Sequence, residues 1–256
     1  MQDRYVGDAG DFGKYGLLRT LLAMAGPATA LGVNWYYFSG HGEESADGRH
    51  CRYLDPGYPR AARFRVCFPE IYDGLQDIVR SGRRHISAIE AEKIIGRNVT
   101  YYSAPVPDGR MPSAARIAAR LHWFEQSLCA LADCDILFLD PDNGMQAPSM
   151  KKSGKNAGKY FFFDECSRYF RRGQSLILYQ HRNRLPKARY DAGIRGLHAA
   201  IDPRAVLFVL RSLPFSVRDY IMLVHPAHEA LFTALLSRLT HEKYACLYAR
   251  YEPGAT

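Results

Sequence analysis

Apolar runs separated by polar turns divide the chain into elements. The segments "ALGVNWYYF" (30–38), "CDILFLD" (134–140) and "SLILYQH" (175–181) are near-continuous hydrophobic and aromatic runs. Runs of this kind mark strands buried on both faces. "NVTYYSAPVP" (98–107) predicts another strand, and "RAVLFVLRSLPFSVRDYIMLVHP" (204–226) predicts an antiparallel pair broken by Ser212, Pro214 and Ser216. Helical spacing fills the intervals. After a loop, "VGDAGDFGKYG" (6–16), the leucines from Leu17 to Leu22 predict a core helix stopped by Gly26 and Pro27. Over 113–133 a stripe of Ile117, Leu121, Phe124, Leu128 and Leu131 predicts an amphipathic helix. Further helices are expected over 159–173, 186–200 and 227–241. Between Arg49 and Arg97, "FPEIYDGLQDIVRSG" and "HISAIEAEKIIG" read as helices, with Ser87 and Glu90 spaced as a capping box.

Strands alternating with helices argue for one α/β domain. The expected architecture is a doubly wound, mostly parallel Rossmann-like sheet with a C-terminal antiparallel strand and a small helical insertion near 49–97. Ligands of such sheets bind beyond the carboxyl ends of the strands. That rule selects four loops: Ser39 to Glu44, the turn after Tyr102, Asp140 to Gly144, and Tyr179 to His181.

Composition narrows the setting. With 256 residues, 47% hydrophobic and 23% charged, the chain is long enough for a sizeable core. Its six cysteines (Cys51, Cys67, Cys129, Cys134, Cys166 and Cys246) form no CxxC pair, and the histidines lack zinc spacing. Reduced thiols, a cytoplasmic location and no structural metal are therefore expected. No apolar run reaches spanning length, and "MQDRYVGDAGDFGKYG" lacks the regions of a signal peptide, so no membrane association is expected. The formal charge of +8 gathers in "RSGRRH" (80–85), "MKKSGKNAGK" (150–159), "RYFRR" (168–172) and "HRNRLPKAR" (181–189). Clustered Lys and Arg bind polyanions by releasing counterions, which favours nucleic acid, RNA or DNA, as partner.

The stretch "CDILFLDPDNGM" (134–145) runs from buried hydrophobics into two carboxylates, an amide and a glycine. Asp-Pro-Asp-Asn-Gly is good turn chemistry in its own right. At the end of a buried strand the same residues also suit the floor of a site. Asp140 and Asp142 there could orient a substrate or offer oxygen ligands to a divalent cation.

These residues carry a resemblance. Asp140-Pro141-Asp142-Asn143 stands where amino-directed methyltransferases have an Asp-Pro-Pro-aromatic motif after the fourth strand. The tail "LFVLRSLPFSVRDYIMLVHPAHEALFTALLSRL" resembles that of the large-subunit ribosomal RNA adenine N6-methyltransferase family, J type. The opening "GDAGDFGKYGLL" is similar to that family's His-Ala-Asp-x-x-Lys-His segment, aligning Asp11 and Lys14, and "NWYYFSGHGEES" lies at its glycine-rich cofactor loop. The chain also resembles a group of uncharacterised bacterial proteins sharing "GDFGKY" and "LDPDNG".

The resemblance implies a methyltransferase-type sheet and S-adenosylmethionine as cofactor, held by Asp11, Lys14, Ser39, Gly40, His41 and Gly42. It implies that Asp140 and Pro141 position a target amine, with Asp142 and Asn143 shaping the pocket. Lys151, Lys152, Tyr179, His181 and Arg182 would contact the nucleic acid. The acid that would hold the cofactor ribose is Asp55 or Glu90. Asp142 replaces the motif's second proline and Asn143 its aromatic, so a stacking ring would come from Tyr36, Tyr37, Tyr179 or Trp123. Two other functions use the same residues. In a metal-dependent nuclease or phosphoesterase, Asp140 and Asp142, with Asp11 or His181, would bind Mg or Mn and activate water. A third reading is a non-catalytic nucleic-acid-binding module on the same fold. On the plainest view, Lys14 is an exposed helix lysine and 151–159 a solvated connection.

Overall fold

A computed structural model of the protein describes residues 1–38, 48, 50–107, 109–182 and 185–254. Seven strands form one mixed sheet in the order β2 (Val99–Tyr102), β1 (Leu31–Asn34), β3 (Ile136–Leu139), β6 (Ser175–His181), β8 (Arg218–Val224), β7 (Val206–Ser212) and β9 (Tyr248–Arg250). The first four run parallel and level: Asn34 lies beside Tyr102 and Leu139, and Leu139 beside Leu178. β8 is antiparallel between β6 and β7, and β9 is antiparallel to β7. A separate pair of short strands, β4 (Gly144–Met145) and β5 (Tyr160–Phe161), follows the central strand.

Parallel neighbours need crossovers, and helices supply them on both faces. α1 (Ala9–Ala25), α2 (Ala61–Cys67), α3 (Pro69–Arg80), α4 (Ile86–Ala91) and α8 (Glu229–Leu239) pack on one face. α5 (Ser113–Ala130), α6 (Phe163–Phe170) and α7 (Lys187–Ile201) pack on the other. The period-two geometry of a strand divides β3 between these layers: Ile136 and Phe138 enter the first core, Leu137 and Leu139 the second. Helices α2 to α4 lie between β1 and β2, within the region expected to hold a helical insertion. No helix among the described residues is long and apolar enough to cross a membrane.

Three local expectations change. α1 begins at Ala9 rather than near Leu17. The Asp8 carboxylate caps it by accepting from Gly10 N at 2.9 Å. Its glycines serve close packing rather than a loop: a Cβ on Gly10 would lie 2.4 Å from Arg218 Cζ, and one on Gly13 2.9 Å from Ser212 Oγ. Ser87 and Glu90 form no capping box, because Ser87 lies inside α4. Glu90 instead accepts from Trp35 Nε1 at 2.8 Å and Ser103 Oγ at 2.5 Å. In α5 the stripe turns: Ile117 and Leu121 are exposed, and the buried face begins with Arg120 and Trp123. The Arg120–Glu165 ion pair between α5 and α6, at 2.7 Å, lies on that face.

Candidate active-site cleft

β3 ends at Leu139, and the ladder continues one residue further, with Asp140 N donating to Asn34 O at 3.0 Å. Asp140 is therefore held at the carboxyl end of the central strand by backbone that cannot drift. α1 crosses in front of this edge and presents Asp11 and Lys14, one helical turn apart on the same side. Lys14 Nζ donates to Asp11 Oδ1 at 2.9 Å and to Asp140 Oδ2 at 2.6 Å, and Tyr15 OH donates to Asp11 Oδ2 at 3.1 Å. All three charged residues are at most 3% exposed.

Burial governs the electrostatics of this triad. Desolvation raises the Asp11 carboxyl from its usual 3.8 to about 6, against the pull of Lys14, and the Asp140 charge adds to the rise. Burial would lower the Lys14 ammonium, but the facing Asp11 and Asp140 carboxylates outweigh it and drive its pKa upward. Lys14 thus stays charged, while Asp11 changes protonation in the physiological range.

A second layer surrounds the triad. The Arg218 guanidinium lies over Gly10, donates from Nε to Tyr179 OH at 3.2 Å, and reaches Asp8 Oδ1 at 3.3 Å. Lys14 Nζ stands 5.5 Å from the Tyr179 ring centroid, a cation–π distance. Asp142 turns away from Asp140: its Oδ1 is 3.0 Å from the Met1 ammonium and its Oδ2 accepts from Gln2 Nε2 at 2.5 Å. Burial would raise the Asp142 carboxyl, but the Met1 ammonium and the Gln2 amide hold it below the usual carboxylate range. Asn143 N donates to Lys159 O at 2.9 Å, tying the motif to the end of the basic segment. Gly144 has φ 105°, and Met145 N donates to Gln180 Oε1 at 2.7 Å, so the motif's glycine makes a tight turn against β6. The turn reading of Asp-Pro-Asp-Asn-Gly therefore applies to it.

These groups line one cleft of about 360 Å³, bounded by Asp8, Asp11, Lys14, Asp140 to Asn143, Tyr179 and His181, together with Arg4, His50, Lys159 and Arg218. Asp11, Lys14, Asp140, Pro141, Asp142, Asn143, Tyr179 and His181 are thus brought together as expected. Lys151, Lys152 and Arg182 are not. Lys152 pairs with Asp164 and lies 3.5 Å from Glu165, and the Arg182 guanidinium lies 4.1 Å from the Tyr190 ring centroid. Lys159 is the lysine of that segment that reaches the cleft. Ser39, Gly40, His41 and Gly42 lie outside the described residues. Lys14 is buried, not an exposed helix lysine.

Of the candidate stacking rings, Tyr36 and Trp123 pack edge to face at 5.0 Å in the core and Tyr37 OH donates to Asp3 at 2.7 Å, which leaves Tyr179 at the cleft. Tyr36 has φ 46°, a left-handed conformation rare for a bulky residue, two residues past the end of β1. The candidate ribose-binding acids do not line the cleft: Asp55 caps Gly57 N at 2.9 Å, and Glu90 holds Trp35.

Asp8, His50, Lys159 and Arg218 escape a sequence reading because their closeness is tertiary. Asp8 alone left a local sign, as a capping residue ahead of a helix. Asp140 and Asp142 face different cations, and among the described residues no three His, Cys, Asp or Glu side chains converge as a metal site would require. Comparison with family models and with curated protein sequences finds no match.

Proposed function

We propose that the protein is an S-adenosylmethionine-dependent methyltransferase-like enzyme that methylates an amino nitrogen of nucleic acid. The Asp11–Lys14–Asp140 triad carries this reading, because it joins the two segments of the resemblance at one strand end. The reversed strand β8, set between β6 and β7, supports the methyltransferase type of sheet. Lys14 occupies Oδ2 of Asp140, which leaves Oδ1 to accept an N–H of an exocyclic amine and aim its lone pair. Tyr179 offers a ring face, and Asn143 an amide for the base edge. An amine of this kind can lose its proton after transfer, so orientation does most of the work.

The cleft fits a nucleoside-sized ligand in volume and carries charges of both signs, as an amino-acid-bearing cofactor requires. When bound, S-adenosylmethionine supplies a methyl group on a sulfonium. Asp11 and Lys14, which line the cleft, would hold it together with Ser39, Gly40, His41 and Gly42. Calorimetric titration with S-adenosylmethionine and S-adenosylhomocysteine tests the reading. Micromolar binding, with labelled methyl transferred to RNA or DNA and lost in Asp140→Asn, is the expected result. No heat at millimolar cofactor would sink it.

A further inference from the structure

Phe215, in the β7–β8 hairpin, is large, apolar and 45% exposed, and its backbone is left-handed at φ 63°. Glycine or asparagine would relieve both the strain and the exposure at this turn. A bulky ring kept in such a conformation points to a role for its open face. The ring is also aimed, because its centroid lies 5.5 Å from that of His50, 6.1 Å from Phe64 and 6.3 Å from Tyr53. His50 lines the catalytic cleft, as do Ser216 and Arg218 of the same hairpin.

Phe215 also walls a groove of about 300 Å³, separate from the cleft, with Tyr58, Arg60, Arg63 and Phe64 and, on its apolar side, Leu213, Pro214, Cys246 and Leu247. Arg60 and Arg63 are exposed, and among the described residues neither guanidinium has a carboxylate partner. An open aromatic face beside two uncompensated guanidinium groups is the chemistry of a base with its flanking phosphates. A duplex hides its base faces in the stack, whereas a single strand offers them.

We infer that this groove is a second nucleic-acid subsite: Phe215 stacks on a base of a single-stranded segment while Arg60 and Arg63 hold its phosphates. The segment continues past His50 into the cleft. The inference rests on the nucleic-acid reading of that cleft but not on methyl transfer.

The test is fluorescence anisotropy with a fluorescein-labelled single-stranded 12-mer of mixed sequence, as RNA and as DNA, alongside its blunt duplex. Stacking by alanine substitution is typically worth about 1–3 kcal/mol per base, so Phe215→Ala should weaken single-strand binding about 5- to 150-fold. Phe215→Trp should restore it, which a merely structural role would not require. Arg60→Gln with Arg63→Gln should lower the log–log salt slope by about 1.4, two phosphates at roughly 0.7 each. The duplex should bind more weakly, with no response to Phe215→Ala. Variants that bind the single strand as the wild type does would overturn the subsite, as would a wild type that does not bind it. If these variants lose affinity while cofactor titration is silent, the subsite stands and the methyltransferase reading falls. Cofactor binding and transfer unaffected by the three substitutions would mean the reverse. Capture of an apolar peptide in place of the oligonucleotide would also overturn it.

Discussion

Lys14 Nζ lies 2.6 Å from Asp140 Oδ2, although 126 positions separate the two residues in the chain. Each is buried, and each is the other's ion-pair partner. Removing one partner of a buried pair typically costs about 3–5 kcal/mol. Asp140→Ala should therefore lose stability as well as activity. Asp140→Asn, which keeps the shape and an acceptor oxygen, should lose less stability and the same activity. Lys14→Met should be destabilised at pH 7.5 and recover toward pH 5, where Asp11 takes up a proton. Thermal melts across that range check both, and a Lys14→Met melt independent of pH would contradict the coupling.

Asp11 gives the wild type a pH signature of its own. Its folded-state pKa is raised, from 3.8 to about 6, so the folded protein binds this proton more tightly than the unfolded chain does. The stabilisation is complete below the unfolded value and is lost as pH rises through the folded one. Relative to Asp11→Asn, the wild-type melting temperature should fall between about pH 4 and pH 6 and level off above about pH 7. Taking the difference between the two proteins removes the titration of every other carboxylate. A flat difference would show that Asp11 is ionised throughout.

Two glycines in helices should respond oppositely to alanine. In mid-helix, Gly196 of α7 has nothing within 4 Å of an added Cβ, and Gly→Ala there should stabilise by about 0.4–1 kcal/mol. At Gly10 the same change drives a methyl into the Arg218 guanidinium, 2.4 Å away. Overpacking of this kind costs about 1–3 kcal/mol, and it also pushes Arg218 off Asp8 and Tyr179. Urea unfolding of the two variants gives the signs directly, and ligand affinity should suffer only in Gly10→Ala.

Arg120 anchors the segment that delivers Lys159. Its guanidinium donates to Glu165 at 2.8 and 2.7 Å, and to the Ala157 and Tyr160 carbonyls at 3.0 Å, all in the core. Arg120→Met should destabilise by about 3–5 kcal/mol by stranding Glu165, and adding Glu165→Leu should recover most of that. Arg120→Lys should not rescue, because an ammonium cannot serve the fork of four acceptors. Denaturant midpoints of the single and double variants are the readout, and additive losses would argue against the pairing.

Much of this was legible in sequence wherever chemistry and local pattern coincide. Asp140 could be placed because β3 is unbroken hydrophobic and the turn after it is unmistakable. The β7–β8 hairpin could be placed for the same reason. Helix α1 was misjudged in its first turns because glycine spacing suggests a loop unless the surface it packs on is known. Lys151 and Lys152 drew attention through charge density, which does not say which side chain of a segment turns inward; the Arg120 anchor makes it Lys159. Ile117 and Leu121 satisfy helical periodicity while standing outside the core, since α5 buries Trp123, Phe124 and Leu128 together with the Arg120–Glu165 pair on its other side.

Gly10 and Gly13 meet Arg218 and Ser212, so the first turns of α1 complete their seat on strands synthesised long after them, 210 positions away in the Asp8–Arg218 pair. Closing so long a loop is entropically slow and cannot begin on a ribosome still making β7. A nascent chain thus carries Asp8 and Gly10 without their Arg218 partner through most of its synthesis. The wall of the cleft that Arg218 forms is therefore added only with β8, near the end of synthesis.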